Sequence, residues 1–205
     1  MKALVLTDIQ NDFLPGGALA VPEGNAIIPL ANQLQARFPL IVATQDWHPP
    51  NHGSFAANHP GKKVYEQIRL HGLPQTLWPV HCVETSFGAQ LADALNKERI
   101  AKVFHKGVDA GIDSYSALFD NGHLRSTGLG EWLKGKNASE LYFCGLATDY
   151  CVKFSALDAI HLGFKVYLIQ DACRGINLKP YDVNDAIDEM RRAGVVAIQS
   201  RELRL

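Results

Sequence analysis

No stretch of this sequence reaches the roughly eighteen consecutive apolar residues that a membrane span requires. Cysteine is scarce: Cys82, Cys144, Cys151 and Cys173 are widely spaced and form no C-x-x-C pair. That spacing argues against a disulfide-stapled secreted domain. Charge of one sign is also missing. Lys and Arg number 20 and Asp and Glu 21, for a net charge of -1, so no basic field favours nucleic acid. Neither G-x-G-x-x-G nor G-K-[S/T] occurs, so no motif points to a dinucleotide or to ATP. Residues 1–9 begin like a signal peptide, but Asp8 interrupts the apolar run and no small-residue cleavage site follows. The expected setting is a reducing cytoplasm.

What remains is an ordinary globular composition, with 205 residues, 47% apolar and 20% charged. No repeat or low-complexity linker divides it, so a single domain over 1–205 is expected. Short apolar runs at 3–9, 40–44, 100–105, 140–145, 165–170 and 195–198 read as strands. Helical spacing is read at 25–38, 85–96, 127–135, 149–163 and 183–193, with Thr148 as cap and Gly163 as stop of the fourth. The strands are too apolar to leave one face in water. This alternation predicts a three-layer α/β/α fold, Rossmann-like, with a mainly parallel sheet of about six strands. Residues 47–82 and 107–125 read as long irregular segments, which are uncommon unless they build a site.

Ligands of an open parallel sheet bind beyond the carboxyl ends of its strands. Asp8, Asp46, Lys106 and the 146–151 turn all fall at such ends. Cys151 sits in G-L-A-T-D-Y-C-V (145–152), at an expected helix start where backbone N–H groups and the helix dipole favour a thiolate. Packing is the alternative, because free cysteines are often buried. With Asp8 as proton acceptor and Lys106 as counter-charge, Cys151 makes chemical sense as a nucleophile. The N–H groups of Ala147 and Cys151 would then receive an oxyanion, and acyl transfer would run through a thioester.

A second group lies in Q-D-W-H-P-P-N-H (45–52) and W-P-V-H-C (78–82). Asp46 and His48, two apart, share one side of an extended chain, and His81 adds a second imidazole. This set suits one divalent metal, whether zinc, iron or manganese; a polar network of satisfied histidines is the alternative. His52 reads as a fourth ligand, an outer donor or a turn residue. His59, His71, His105, His123 and His161 lack such company and read as structural or surface groups. Phe13, Trp78 and Tyr115 lie in loops beside these groups, where they would sandwich a flat ring or simply fill the loops.

The strings D-I-Q-N-D-F (8–13), P-G-G-A-L (15–19), T-Q-D-W-H-P (44–49), N-H-G-S-F (51–55), L-W-P-V-H-C (77–82), F-H-K-G (104–107), D-S-Y-S (113–116), G-L-A-T-D-Y-C-V (145–152) and D-A-C-R-G (171–175) occur in one order over most of the chain. On these the chain resembles the nicotinamidases (pyrazinamidases) of the isochorismatase-like cysteine hydrolases, the bacterial members above all. The resemblance implies a triad of Asp8, Lys106 and Cys151 and a metal held by Asp46, His48 and His81, zinc first among the candidates. A histidine in the region of His52 also binds the metal in some members. It further implies a ring box of Phe13, Trp78 and Tyr115, a cis peptide between Leu146 and Ala147, and hydrolysis of nicotinamide, and of pyrazinamide, in pyridine nucleotide salvage. Isochorismatases are similar in fold but lack the cysteine, and carbamoyl-group amidases generally lack the metal set. Two alternatives stand beside this reading: a cysteine amidase for another small amide, and a non-catalytic metal-binding scaffold. A homo-oligomer is compatible with the sequence but not specified by it.

Overall fold

The computed structural model describes residues 1–203. In chain order its elements are β1 (Lys2–Thr7), α1 (Ile28–Gln35), β2 (Leu40–Asp46), β3 (Gln67–Leu70), β4 (Leu73–Thr76), β5 (Lys102–Lys106), α2 (Leu129–Gly135), β6 (Glu140–Leu146), α3 (Lys153–His161), β7 (Lys165–Arg174), α4 (Asp182–Arg192) and β8 (Val196–Ile198). Six strands form one sheet in the order β5-β2-β1-β6-β7-β8. Every neighbouring pair in it is parallel. All seven residues of β2 are buried, as are five of six in β1 and six of seven in β6. Such strands need cover on both faces.

The order reverses at β1: chain order runs outward through β2 to β5 on one side and through β6 to β8 on the other. Connections that leave β1 in opposite directions along the sheet put their helices on opposite faces when the crossovers are right-handed. The reversal opens a crevice at the carboxyl ends of β1 and β6, where Thr7 pairs with Gly145. On the next strand pair, Asp46 lies beside Lys106 in register.

Four expectations need correction. Residues 85–96 form turns rather than a helix. Their carbonyls are engaged elsewhere: Asn11 N–H donates to Gln90 O and Asp12 N–H to Gly88 O, each at 3.0 Å. The amides of Gln10 and Gln45 donate to Ala89 O at 2.9 and 2.6 Å. A helix would need those acceptors for its own N–H groups. The 47–82 stretch is not wholly irregular, because β3 and β4 form an antiparallel hairpin within it. Thr148 is not a helix cap. A turn of π-helix, Thr148–Val152, precedes α3 and has no side-chain cap. β7 also runs on to Arg174, past a register shift opposite Phe143–Gly145.

Candidate active site

Cys151 lies in the π turn that follows β6, and the Leu146–Ala147 peptide bond at the head of that turn is cis. The turn is held from behind by the buried Ser155. Its hydroxyl donates to Cys151 O at 2.6 Å and accepts from Ala117 N–H at 2.7 Å. The Cys151 turn and the 107–125 loop are thus tied together.

Lys106 ends β5 with its side chain buried. Its Nζ is 2.9 Å from Asp8 Oδ2, 2.5 Å from Asp46 Oδ1, 3.0 Å from Ser114 O and 3.3 Å from Cys151 Sγ. Its three ammonium protons go to Asp46, Ser114 and Cys151, and Asp8 faces it as an ion pair. Burial disfavours this cation, but Asp46, Asp8 and Cys151 together raise its pKa well above the ordinary lysine value. Asp8 is completely buried. Thr44 Oγ1 donates to Asp8 Oδ1 at 2.6 Å and accepts the Asp8 N–H at 3.2 Å. Burial raises the Asp8 pKa; Lys106 opposes this, and Asp46 adds to it. Burial likewise pushes the Cys151 thiol well above its usual value, with Lys106 opposing and Asp8 adding. The sequence pointed to a stabilised thiolate. Lys106 acts in that direction and burial against it, and Sγ lies beside a carboxylate of raised basicity that could take its proton.

One oxygen of Asp46 serves Lys106 and the other faces two imidazoles, with His48 Nε2 at 3.8 Å and His81 Nε2 at 3.9 Å from Oδ2. Donor atoms of Asp46, His48 and His81 lie within 4.8 Å of one another, and all three residues are buried. His48 Nδ1 donates to Gly107 O and His81 Nδ1 to Pro79 O, both at 2.8 Å. Those bonds put the proton on Nδ1 and leave the Nε2 lone pair turned to Asp46. Burial lowers the pKa of both imidazoles to about 4, so both are neutral, as metal ligation needs. Around them three buried carboxylates, Asp8, Asp46 and Asp113, face one buried ammonium, Lys106. The donor set and the acidic excess both fit a divalent cation.

The pocket over these groups encloses about 350 Å³ with its open mouth. Phe13, Trp78, Tyr115, Ala147 and Cys151 line it together with Asp46, His48 and His81. The wall is interlocked: Trp78 Nε1 donates to the Tyr115 hydroxyl at 3.2 Å, and Tyr150 packs edge-on against Trp78 with centroids 4.9 Å apart. Sequence reasoning missed Tyr150, Asp113, Leu19 and Ile176, which also line the pocket. Tyr150 adjoins Cys151, and Asp113 shares a motif with Tyr115, so position in a motif was the available signal. Ile176 follows β7 in a loop with no signal of its own.

His52 lies outside the Asp46–His48–His81 group and clusters instead with His48 and Asp113. His59, His71, His105, His123 and His161 do not line the pocket. His105 stacks on Trp47 at 4.3 Å, and His123 meets Asp158 at 3.1 Å.

A model of the isochorismatase domain matches residues 2–202. The nicotinamidase of Escherichia coli K12 is 54% identical over 197 residues, covering 94% of this chain and 92% of that one. Among solved structures, a nicotinamidase/pyrazinamidase of Acinetobacter baumanii superposes with a TM-score of 0.96 at 47% identity, covering 99% of this chain and 98% of the other. The pyrazinamidase of Pyrococcus horikoshii, solved in complex with zinc, superposes with a TM-score of 0.78 at 39% identity, covering 97% and 98%.

Proposed function

The chain belongs to the isochorismatase-domain family, and on that premise we propose that it is a nicotinamidase: a metal-containing cysteine amidohydrolase that converts nicotinamide to nicotinate and ammonia, and pyrazinamide to pyrazinoate. One observation carries this reading above the others. Lys106 Nζ reaches Asp8, Cys151 and Asp46 at once, so a nucleophile with its base adjoins a metal-ligand set through a shared carboxylate. The four cysteines are free and buried. That fits the reducing cytoplasm, and the convergence of all these groups on one sheet edge supports a single domain over 1–205.

In this mechanism Cys151 Sγ attacks the carboxamide carbon as its proton passes to Asp8. The carbonyl oxygen takes up the electron pair and is received by the N–H groups of Ala147 and Cys151. Asp8 returns the proton to the amide nitrogen, the C–N bond breaks, and ammonia leaves a nicotinoyl thioester. Water then adds to the thioester with Asp8 as base, and Sγ departs and regains its proton as nicotinate forms. Lys106 stays charged throughout, holding Asp8 and Sγ in line. Phe13, Trp78 and Tyr115 clasp the flat ring. Asp46, His48 and His81 would hold one divalent ion, zinc by analogy with the Pyrococcus structure, which supplies a Lewis-acid anchor for the ring nitrogen.

The test is ammonia release from a panel of nicotinamide, pyrazinamide, benzamide and small aliphatic amides. Nicotinamide and pyrazinamide are expected to lead, with benzamide at least about tenfold slower for want of a ring nitrogen. Rapid turnover of an aliphatic amide beside none of nicotinamide would replace this reading with that of another amidase.

A further inference from the structure

Asp113 is a buried carboxylate in the catalytic pocket to which the mechanism assigns no task. Gln75 Nε2 donates to its Oδ2 at 2.9 Å, and Ser114 N–H donates to its Oδ1 at 2.8 Å. These bonds fix its orientation and still leave lone pairs on both oxygens. Donor atoms of Asp113, His48 and His52 lie within 4.8 Å of one another. His48 therefore belongs to two groups, with Asp46 and His81 in one and His52 and Asp113 in the other.

His52 supplies an independent sign that this second group faces something. It is completely buried, and its Nε2 has no hydrogen-bond partner among the described residues. Its Nδ1 lies 2.7 Å from Ser54 Oγ and 3.2 Å from Ser54 N, so the ring's polar partners are all on the Nδ1 side and Nε2 is the atom left facing the group. An unpartnered ring nitrogen and a carboxylate with spare lone pairs, which do not bond each other, flank the imidazole of a metal-ligand set. The ligand trio brings one negative charge to a dication and shares that charge with the Lys106 ammonium. Asp113 is the nearby carboxylate free of such a claim.

We propose that Asp113 is a positioning residue for the metal: a carboxylate outside the ligand trio that balances the ion's second charge and, with His52 Nε2, orients the polar groups around it. This rests on the metal reading given under the proposed function.

Metal-free protein, prepared with a chelator, is titrated with zinc against a chelating indicator. Its thermal midpoint and the visible spectrum of the cobalt-loaded form are recorded alongside. Asp113→Asn is expected to weaken zinc binding by about 10- to 100-fold. The cobalt bands should stay in place, and the metal-free protein should melt at or above the wild-type temperature. Asp120→Asn, which alters a buried carboxylate outside the pocket, should leave affinity unchanged. If Asp113→Asn does not fold, Asp113→Glu moves the same charge by one methylene and should weaken binding about threefold or more. Wild-type affinity in the variant that folds would overturn the proposal, and shifted cobalt bands would overturn it in favour of Asp113 as a ligand. If the wild-type protein binds no zinc, the metal reading itself fails as well, which separates the two outcomes.

Discussion

Lys106 shows at the scale of one residue how the site resolves competing costs. An ammonium taken out of water loses several kcal/mol of hydration. Asp8 at 2.9 Å and Asp46 at 2.5 Å offset that loss, and neither could be buried alone at neutral pH without similar cost. Both residues were legible from their places at strand ends, as was Cys151. The state of the thiol was not legible. A helix start and Lys106 favour a thiolate, whereas the burial of the turn, which the sequence does not show, raises the thiol pKa. The consequence is a pH dependence set by Asp8, which must be ionised to accept the thiol proton. Because its pKa is raised, kcat/KM should fall on acidification at a pH above the ordinary aspartate range. Thr44→Val removes the hydroxyl that stabilises the ionised form. It should move that acid limb to still higher pH, by up to about one unit. A pH–rate profile checks this, and an unmoved or acid-shifted limb would show that Asp8 is not the titrating base.

Elements place these residues through their ends. β5 terminates at Lys106, and the next residue, Gly107, turns with φ +64°. Its carbonyl fixes His48 Nδ1, and a Cβ at this position would lie 2.3 Å from His48 Cε1. Gly107→Ala is therefore expected to displace the His48 ring, cost about 1–3 kcal/mol of stability and lower retained metal after dialysis. Thermal midpoint and metal content measure both effects; wild-type values for the two would contradict the close packing described. The strands were readable because continuous apolar runs bounded by polar residues identify buried parallel strands. The false helix at 85–96 had acceptable helical spacing, and nothing local revealed that its carbonyls serve Asn11, Asp12, Gln10 and Gln45. The β3–β4 hairpin escaped for a related reason. Its outer residues are exposed, so it lacks the apolar signature of the central strands.

At the scale of the whole molecule, topology does the gathering. The reversal of strand order beside β1 brings the ends of β1 and β6 together, and β2 and β5 add Asp46 and Lys106 on the same edge. Residues from Phe13 to Ile176 thereby line one pocket, and Lys106 joins Asp8 to Cys151 and Asp46. The motif strings carried the principal roles, while Tyr150, Ile176 and the orientation of Asp113 depend on packing that only the folded chain displays. The central claim is that Cys151 is acylated by a pyridine carboxamide. Comparing nicotinamide turnover by the wild-type protein and Cys151→Ala at equal metal content, with folding verified by thermal midpoint, tests it most directly. The account predicts a loss in kcat/KM of at least about a thousandfold for the variant. Turnover by Cys151→Ala within tenfold of the wild-type rate would contradict it.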